Sequence, residues 1–143
     1  MYKNLLTALL AVSFFGIVAW SPFGSKLTVK DGKASLPLSE VSDGQAHYFD
    51  FDAGGKKVKF FVVKSSDGTV RAAFDACDVC YPAKKGYAQQ GDYMVCKNCG
   101  MKFHSSRINV VSGGCNPSPL NRTVDGDRLV FAVSDLAAGA RYF

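Results

Sequence analysis

The stretch Val58-Lys59-Phe60-Phe61-Val62-Val63-Lys64 decides the fold, together with the turn Ser66-Asp67-Gly68 and the segment Thr69 to Phe74 behind it. The first run is β-branched and aromatic, and it is apolar at both odd and even positions. Successive strand side chains point to opposite faces, so such a run predicts a central strand buried on both sides. The Asp-Gly turn that follows returns the chain as an antiparallel partner over Thr69 to Phe74. Upstream, His47-Tyr48-Phe49-Asp50-Phe51 alternates and puts His47, Phe49 and Phe51 on one face. Further turns fall at Asp31-Gly32, Asp43-Gly44, Gly54-Gly55 and Asp125-Gly126. Arg128 to Val133 predicts a later strand, and Ser134 to Ala138 a single capped helical turn. The expectation is a mainly β (β-rich α+β) domain, a small antiparallel sheet that delivers the chain into a cysteine-bearing loop layer.

The amino terminus differs in kind. Leu5 to Trp20 is a sixteen-residue run without a charge. A spanning helix wants about 20 apolar residues, whereas a signal h-region is shorter. No good small-x-small cleavage site follows, because Ile17 stands three residues before a cut after Ala19 and Pro22 would follow a cut after Ser21. The reading is a hydrophobic helix acting as a signal anchor over residues 1–21, with a cleaved signal peptide as the alternative. An extracytoplasmic domain over residues 22–143 follows, facing the periplasm or the extracellular side, with the membrane engaged through the N-terminal segment. The net charge of +5 comes from basic residues scattered over strands and turns. No basic helix or stacked aromatic array accompanies them, so nucleic acid is not expected as a partner.

The chemistry lies in the cysteines. All five fall within thirty-nine residues: Cys77-Asp78-Val79-Cys80, then Cys96-Lys97-Asn98-Cys99 after fifteen intervening residues, then Cys115 in a Gly-Gly-Cys-Asn-Pro turn. Two Cys-x-x-Cys pairs at this separation match a metal-site pattern. Each tight turn aims two soft sulfurs at one point, and two turns supply four thiolates. Cys77, Cys80, Cys96 and Cys99 are therefore candidate ligands, with Cys115 as a fifth and His104, five residues after Cys99, as a further candidate. The rival readings of the pairs are disulfides or a redox dithiol, and of Cys115 a buried inert thiol. Neither pair precedes a histidine, which excludes c-type haem attachment. The closely spaced bacterial ferredoxin run is also absent. Gly100 after Cys99 lets backbone N–H groups approach sulfur, but Tyr81-Pro82 after Cys80 departs from that pattern. Lys84, Lys85, Lys97, Lys102 and Arg107 outnumber Asp78 and Asp92 here, and would offset the charge of a thiolate site. Met94 and Met101 flank the second pair, and Asp75 and Asp78 lie beside the first.

These residues carry a family resemblance. One half is Phe60-Phe61-Val62-Val63-Lys64, Asp67-Gly68, then Arg71 through Cys80. The other is Gly86-Tyr87, Gly91-Asp92, Met94 through Gly100, Phe103, Ile108-Asn109 and Gly113 through Pro117. Together they resemble the bacterial family of membrane iron–sulfur containing proteins, FtrD-like, over Lys57 to Leu120. The resemblance implies a membrane-associated, extracytoplasmic protein linked to periplasmic iron uptake, with the family's cysteines on Cys77, Cys80, Cys96, Cys99 and Cys115. It favours iron as the cofactor, as a metal ion or an iron–sulfur cluster; the thiolates themselves equally suit zinc or copper. The functional expectation is electron transfer or metal handling with iron-uptake or redox protein partners, rather than an enzyme in its own right. Thiol–disulfide exchange and a structural zinc-binding interaction module are the alternatives.

Overall fold

The central strand sits where its sequence demands. In the computed structural model, which describes residues 27–143, strand β4 (Lys56–Lys64) runs between β3 (His47–Ala53) and β5 (Val70–Phe74) in an antiparallel sheet. Its side chains alternate between two separate apolar cores. Val58, Phe60 and Val62 enter one, whereas Phe61 and Val63 enter the other. The Ser66-Asp67-Gly68 turn closes as expected, with the Ser65 amide donating to Thr69 O at 2.9 Å and the Gly68 amide to Ser65 O at 2.9 Å.

Two further sheets flank this one. On one side lies a four-stranded sheet in the order β1 (Thr28–Lys30), β2 (Lys33–Pro37), β10 (Arg128–Ala132), β9 (Thr123–Asp125). Its Ala34, Leu36, Leu129 and Phe131 meet the Phe60 face of β4. Phe60 stacks on Phe49 at 5.3 Å between centroids and meets the edge of Phe131 at 5.2 Å, pairs worth about 0.5–1.5 kcal/mol each beyond the area they bury. On the other side is a three-stranded antiparallel sheet of β6 (Tyr87–Gln90), β7 (Tyr93–Cys96) and β8 (Lys102–His104). It packs Tyr87, Met94, Cys96 and Phe103 against Phe61, Val63 and Ala73. The architecture is therefore mainly β, as the sequence leads one to expect. The cysteine layer, expected to be loops, contains a sheet of its own.

The helical turn also differs in detail. Helix α1 (Val133–Ala138) starts one residue early, and its N-cap, Ala132, gives no side-chain hydrogen bond. Ser134 lies inside the turn rather than capping it. Asp135 in the first turn complements the helix dipole instead. The hydrophobic segment 1–21 lies outside the described residues. Among the described residues no helix is long and apolar enough to cross a membrane.

Candidate metal centre

Three segments bring the cysteines together, and each is fixed by backbone hydrogen bonds. The first pair follows directly from the end of β5. Its turn closes with the Tyr81 amide donating to Cys77 O at 3.3 Å and the Ala83 amide to Cys80 O at 3.1 Å. In the second pair, Cys96 ends β7. The turn to β8 is held by the Gly100 amide donating to Cys96 O at 2.8 Å and the Cys96 amide to Met101 O at 2.9 Å.

Cys115 arrives from farther along the chain. The segment around Pro119 lies along the free edge of β5: the Phe74 amide donates to Ser118 O at 2.8 Å, and the Ser118 amide to Ala76 O at 2.9 Å. Asn109 anchors the same loop, accepting from the Ala72 amide at 2.8 Å and donating to Leu120 O at 3.0 Å. Arg71 adds a bond from its guanidinium to Ile108 O at 3.1 Å. The loop that covers β5 thus delivers Cys115 beside the first pair.

All five thiols converge, in two groups of three. Cys77, Cys80 and Cys115 form one and Cys80, Cys96 and Cys99 the other, with the sulfurs of each group within 4.8 Å of one another. Cys80 belongs to both. Its sulfur lies 3.8 Å from that of Cys115, close to the sulfur–sulfur edge of about 3.8 Å in a tetrahedron of 2.3 Å metal–thiolate bonds. Cys77 and Cys96 are buried, Cys80 and Cys115 half-buried, and Cys99 exposed. The centre is anchored inside and open at one corner.

Amide groups face the sulfurs. The Cys80 amide donates to Cys77 Sγ at 3.1 Å. Burial pushes the Cys77 thiol up, but the polar Tyr87 hydroxyl beside it and hydrogen bonds from the Cys80 and Val79 amides outweigh that and hold the thiol below its ordinary value. The Met101 amide does most to lower Cys99. Burial pushes Cys96 up to about 11, against the Cys99 and Asn98 amides. The neighbouring Cys99 thiol, then burial, push Cys115 to about 12. Both pairs therefore aim the amides two and three residues on at their first sulfur. The second sulfurs differ. Cys99 receives the amide two residues later, from Met101, but the same position after Cys80 is Pro82, which has no N–H to offer. Cys80, the thiol common to both groups, lacks that donor.

Sequence reasoning missed Tyr87. It is buried at the centre of the thiol-side core, opposite Cys96 in the β6–β7 register. Its hydroxyl donates to Cys115 O at 2.6 Å, and burial followed by the neighbouring Cys77 sulfur raises its pKa well above the tyrosine range. Its amide donates to the half-buried Asp75 carboxylate at 2.7 Å. Gly86, just before it, permits this approach: at φ +69° a Cβ would lie 2.3 Å from Asp75 Oδ2. The Gly-Tyr dipeptide was the available signal, though without the fold it has no partner.

The other candidates lie elsewhere. His104 ends β8, where its Nδ1 engages Ser106 Oγ at 2.8 Å and its ring meets Tyr93 edge-on at 5.1 Å; neither thiol group includes it. Asp78 accepts from the Tyr142 hydroxyl at 2.8 Å. Met94 is packed in the core and Met101 is exposed. His47 pairs with Asp43 at 2.7 Å.

Comparison with known proteins adds three findings. No curated protein matches the chain. Among solved structures, the quaternary ammonium Rieske monooxygenase CntA, in complex with inhibitor MMV12, aligns at a TM-score of 0.46 and 11% identity. The alignment covers 69% of this chain and 30% of that one, too slight a likeness to transfer any property. The family model of membrane iron-sulfur containing proteins, FtrD-like, matches residues 41–143 and takes in every cysteine. The chain belongs to the FtrD-like family of membrane iron–sulfur containing proteins.

Proposed function

We propose that this chain is a membrane-anchored, outward-facing metal–thiolate protein that carries electrons for iron handling. The observation that supports it best is the convergence of five thiols from three segments into two groups sharing Cys80. The donor set fits the group implied by the family: sulfur ligands only, with backbone amides turned toward them. Cys77, Cys80, Cys96 and Cys99 would hold an iron–sulfur or mononuclear iron centre, with Cys115 as an additional ligand beside Cys80. Such a centre supplies reversible one-electron chemistry when bound.

The protein's own residues set the conditions. Amide hydrogen bonds at Cys77, Cys96 and Cys99 disperse negative charge on sulfur, which favours the reduced state. Buried Cys77 and Cys96 fix the centre to the sheet, and Tyr87 ties the Cys115 loop to β6. Exposed Cys99 gives a partner its nearest approach. Metal transfer to a partner is the same site used differently, and it too would act through the Cys99 corner.

Purification without oxygen, followed by metal analysis and a visible spectrum, tests the reading. The expected result is bound iron with visible sulfur-to-iron absorption that bleaches reversibly on reduction. A colourless protein with stoichiometric zinc would defeat the electron-transfer role. The 3.8 Å approach of Cys80 and Cys115 favours a second reading, thiol–disulfide exchange with Cys115 as the resolving thiol. Against it, neither pair opens an α-helix whose dipole would activate a thiol. Metal-free protein carrying disulfides by mass spectrometry would reverse the preference.

A further inference from the structure

Beside the thiol centre, five lysines from three separate segments converge on one concavity. Lys57 and Lys59 project from the same side of β4. Lys84 and Lys85 follow the first cysteine pair, and Lys97 lies within the second. Together they wall a cavity of about 240 Å³ with Asp75, Gly86 and Phe143.

The charges are poorly compensated. Lys57 reaches Asp50 only at 3.5 Å with both side chains exposed. Lys84 donates to the Phe143 oxygen at 3.1 Å. Among the described residues, no Asp or Glu side chain pairs with Lys59, Lys84, Lys85 or Lys97 within salt-bridge distance. Asp75, the one acidic side chain of the lining, already accepts the Tyr87 amide at 2.7 Å. Ammonium groups gathered in a cleft repel one another and focus a positive field that concentrates anions. Thiolate charge at the neighbouring centre offsets part of this repulsion. It leaves unexplained why Lys57 and Lys59, on a strand that carries no cysteine, share the same hollow.

We propose that this basic pocket binds a small polyanion, a molecule whose carboxylate or phosphate groups carry two or more negative charges. Concavity favours a small molecule over a flat acidic protein surface. Lysines recognise such groups as point charges rather than by the planar fork of arginine, so the shared chemistry is multiple negative charge. Asp75, Lys84 and Lys85 also line the cavity walled by Cys77, Cys80 and Cys96. A bound polyanion would therefore lie against the wall of the metal centre. The proposal does not depend on which metal the thiols hold.

Calorimetric titration of the purified chain with citrate and with inorganic phosphate, against acetate at matched low ionic strength, tests it. The expected result is saturable binding of citrate, phosphate or both, absent for acetate and weakened by added salt. The double variant Lys59→Gln/Lys85→Gln should weaken it about tenfold or more, and Lys30→Gln, on β1 of the far sheet, should leave it unchanged. Tighter citrate than phosphate would assign carboxylates, and the reverse phosphates. Metal content measured on the same samples separates a lost pocket from a lost thiol centre. No saturable binding of either anion would overturn the proposal. So would equal weakening by Lys30→Gln, or binding of a polyglutamate peptide alone, which would mark a protein-docking surface.

Discussion

The two faces of β4 look onto two different kinds of core. On the Phe60 side, sixteen buried residues, most of them from the four-stranded sheet, the central sheet and α1, form a cluster without a single cysteine. On the Phe61 side, a smaller cluster includes Cys77 and Cys96, with Cys80 and Cys115 packed against it. The first is an ordinary aromatic and aliphatic core that needs nothing but its own side chains. The second closes around sulfur, under a sheet whose strands are only three or four residues long. Sheets that short hold poorly alone, so the thiol layer is the part of the fold that a bound metal would complete. One strand thus joins a self-sufficient scaffold to a layer whose thiol groups could hold a metal ion.

The largest effect should come from breaking the scaffold. Phe60 is fully buried between Phe49 and Phe131. Phe60→Ala should cost about 3–5 kcal/mol through lost burial and a cavity. Denaturant unfolding would measure it, and metal bound per folded chain should not change. A fall in metal content in step with stability would mean the two cores are not separable.

A smaller effect sharpens the contrast within the thiol layer. In metal-free protein, Cys77 and Cys99 ionise below the ordinary value of 9.0, whereas Cys96 is pushed to about 11 and Cys115 to about 12. Alkylation at neutral pH, read by peptide mass spectrometry, should label exposed Cys99 first and Cys96 and Cys115 last. The raised pair has a stability consequence. Their folded-state values exceed the unfolded one, so the stabilising term is present in full below about pH 8.5 and is lost as the pH rises toward 11 and 12. The lowered pair has the opposite sign, contributing above the ordinary thiol range and losing that contribution as pH falls through their folded values. Even labelling of all five cysteines would contradict the geometry.

How much of this was legible depends on distance along the chain. The β4–β5 hairpin is local, and seven consecutive residues with an Asp-Gly turn specify it. The knuckles are local too, because spacing within each Cys-x-x-Cys turn fixes where the amides point. The layering is not local. Pairing of β2 with β10 joins residues nearly a hundred positions apart, with Ala34 opposite Phe131, and no short window carries that. Strand β6 reads Tyr-Ala-Gln-Gln, with weak alternation, and becomes a strand because β7 pairs with it. His104 invited a ligand role by proximity in sequence, yet the strand end turns its ring to Ser106 and Tyr93. Tyr87 was silent for the converse reason: its partners, Cys115 O and Cys77, come from other segments.

Hydrogen exchange on protein purified without oxygen, before and after removal of its metal, tests the central claim most directly. The account predicts that metal removal strips protection from β6, β7, β8 and the two cysteine turns, while β2, β3, β4 and β10 remain protected. Unchanged protection in the thiol layer would contradict a metal-completed centre, and uniform loss across both layers would contradict the division of the fold along β4.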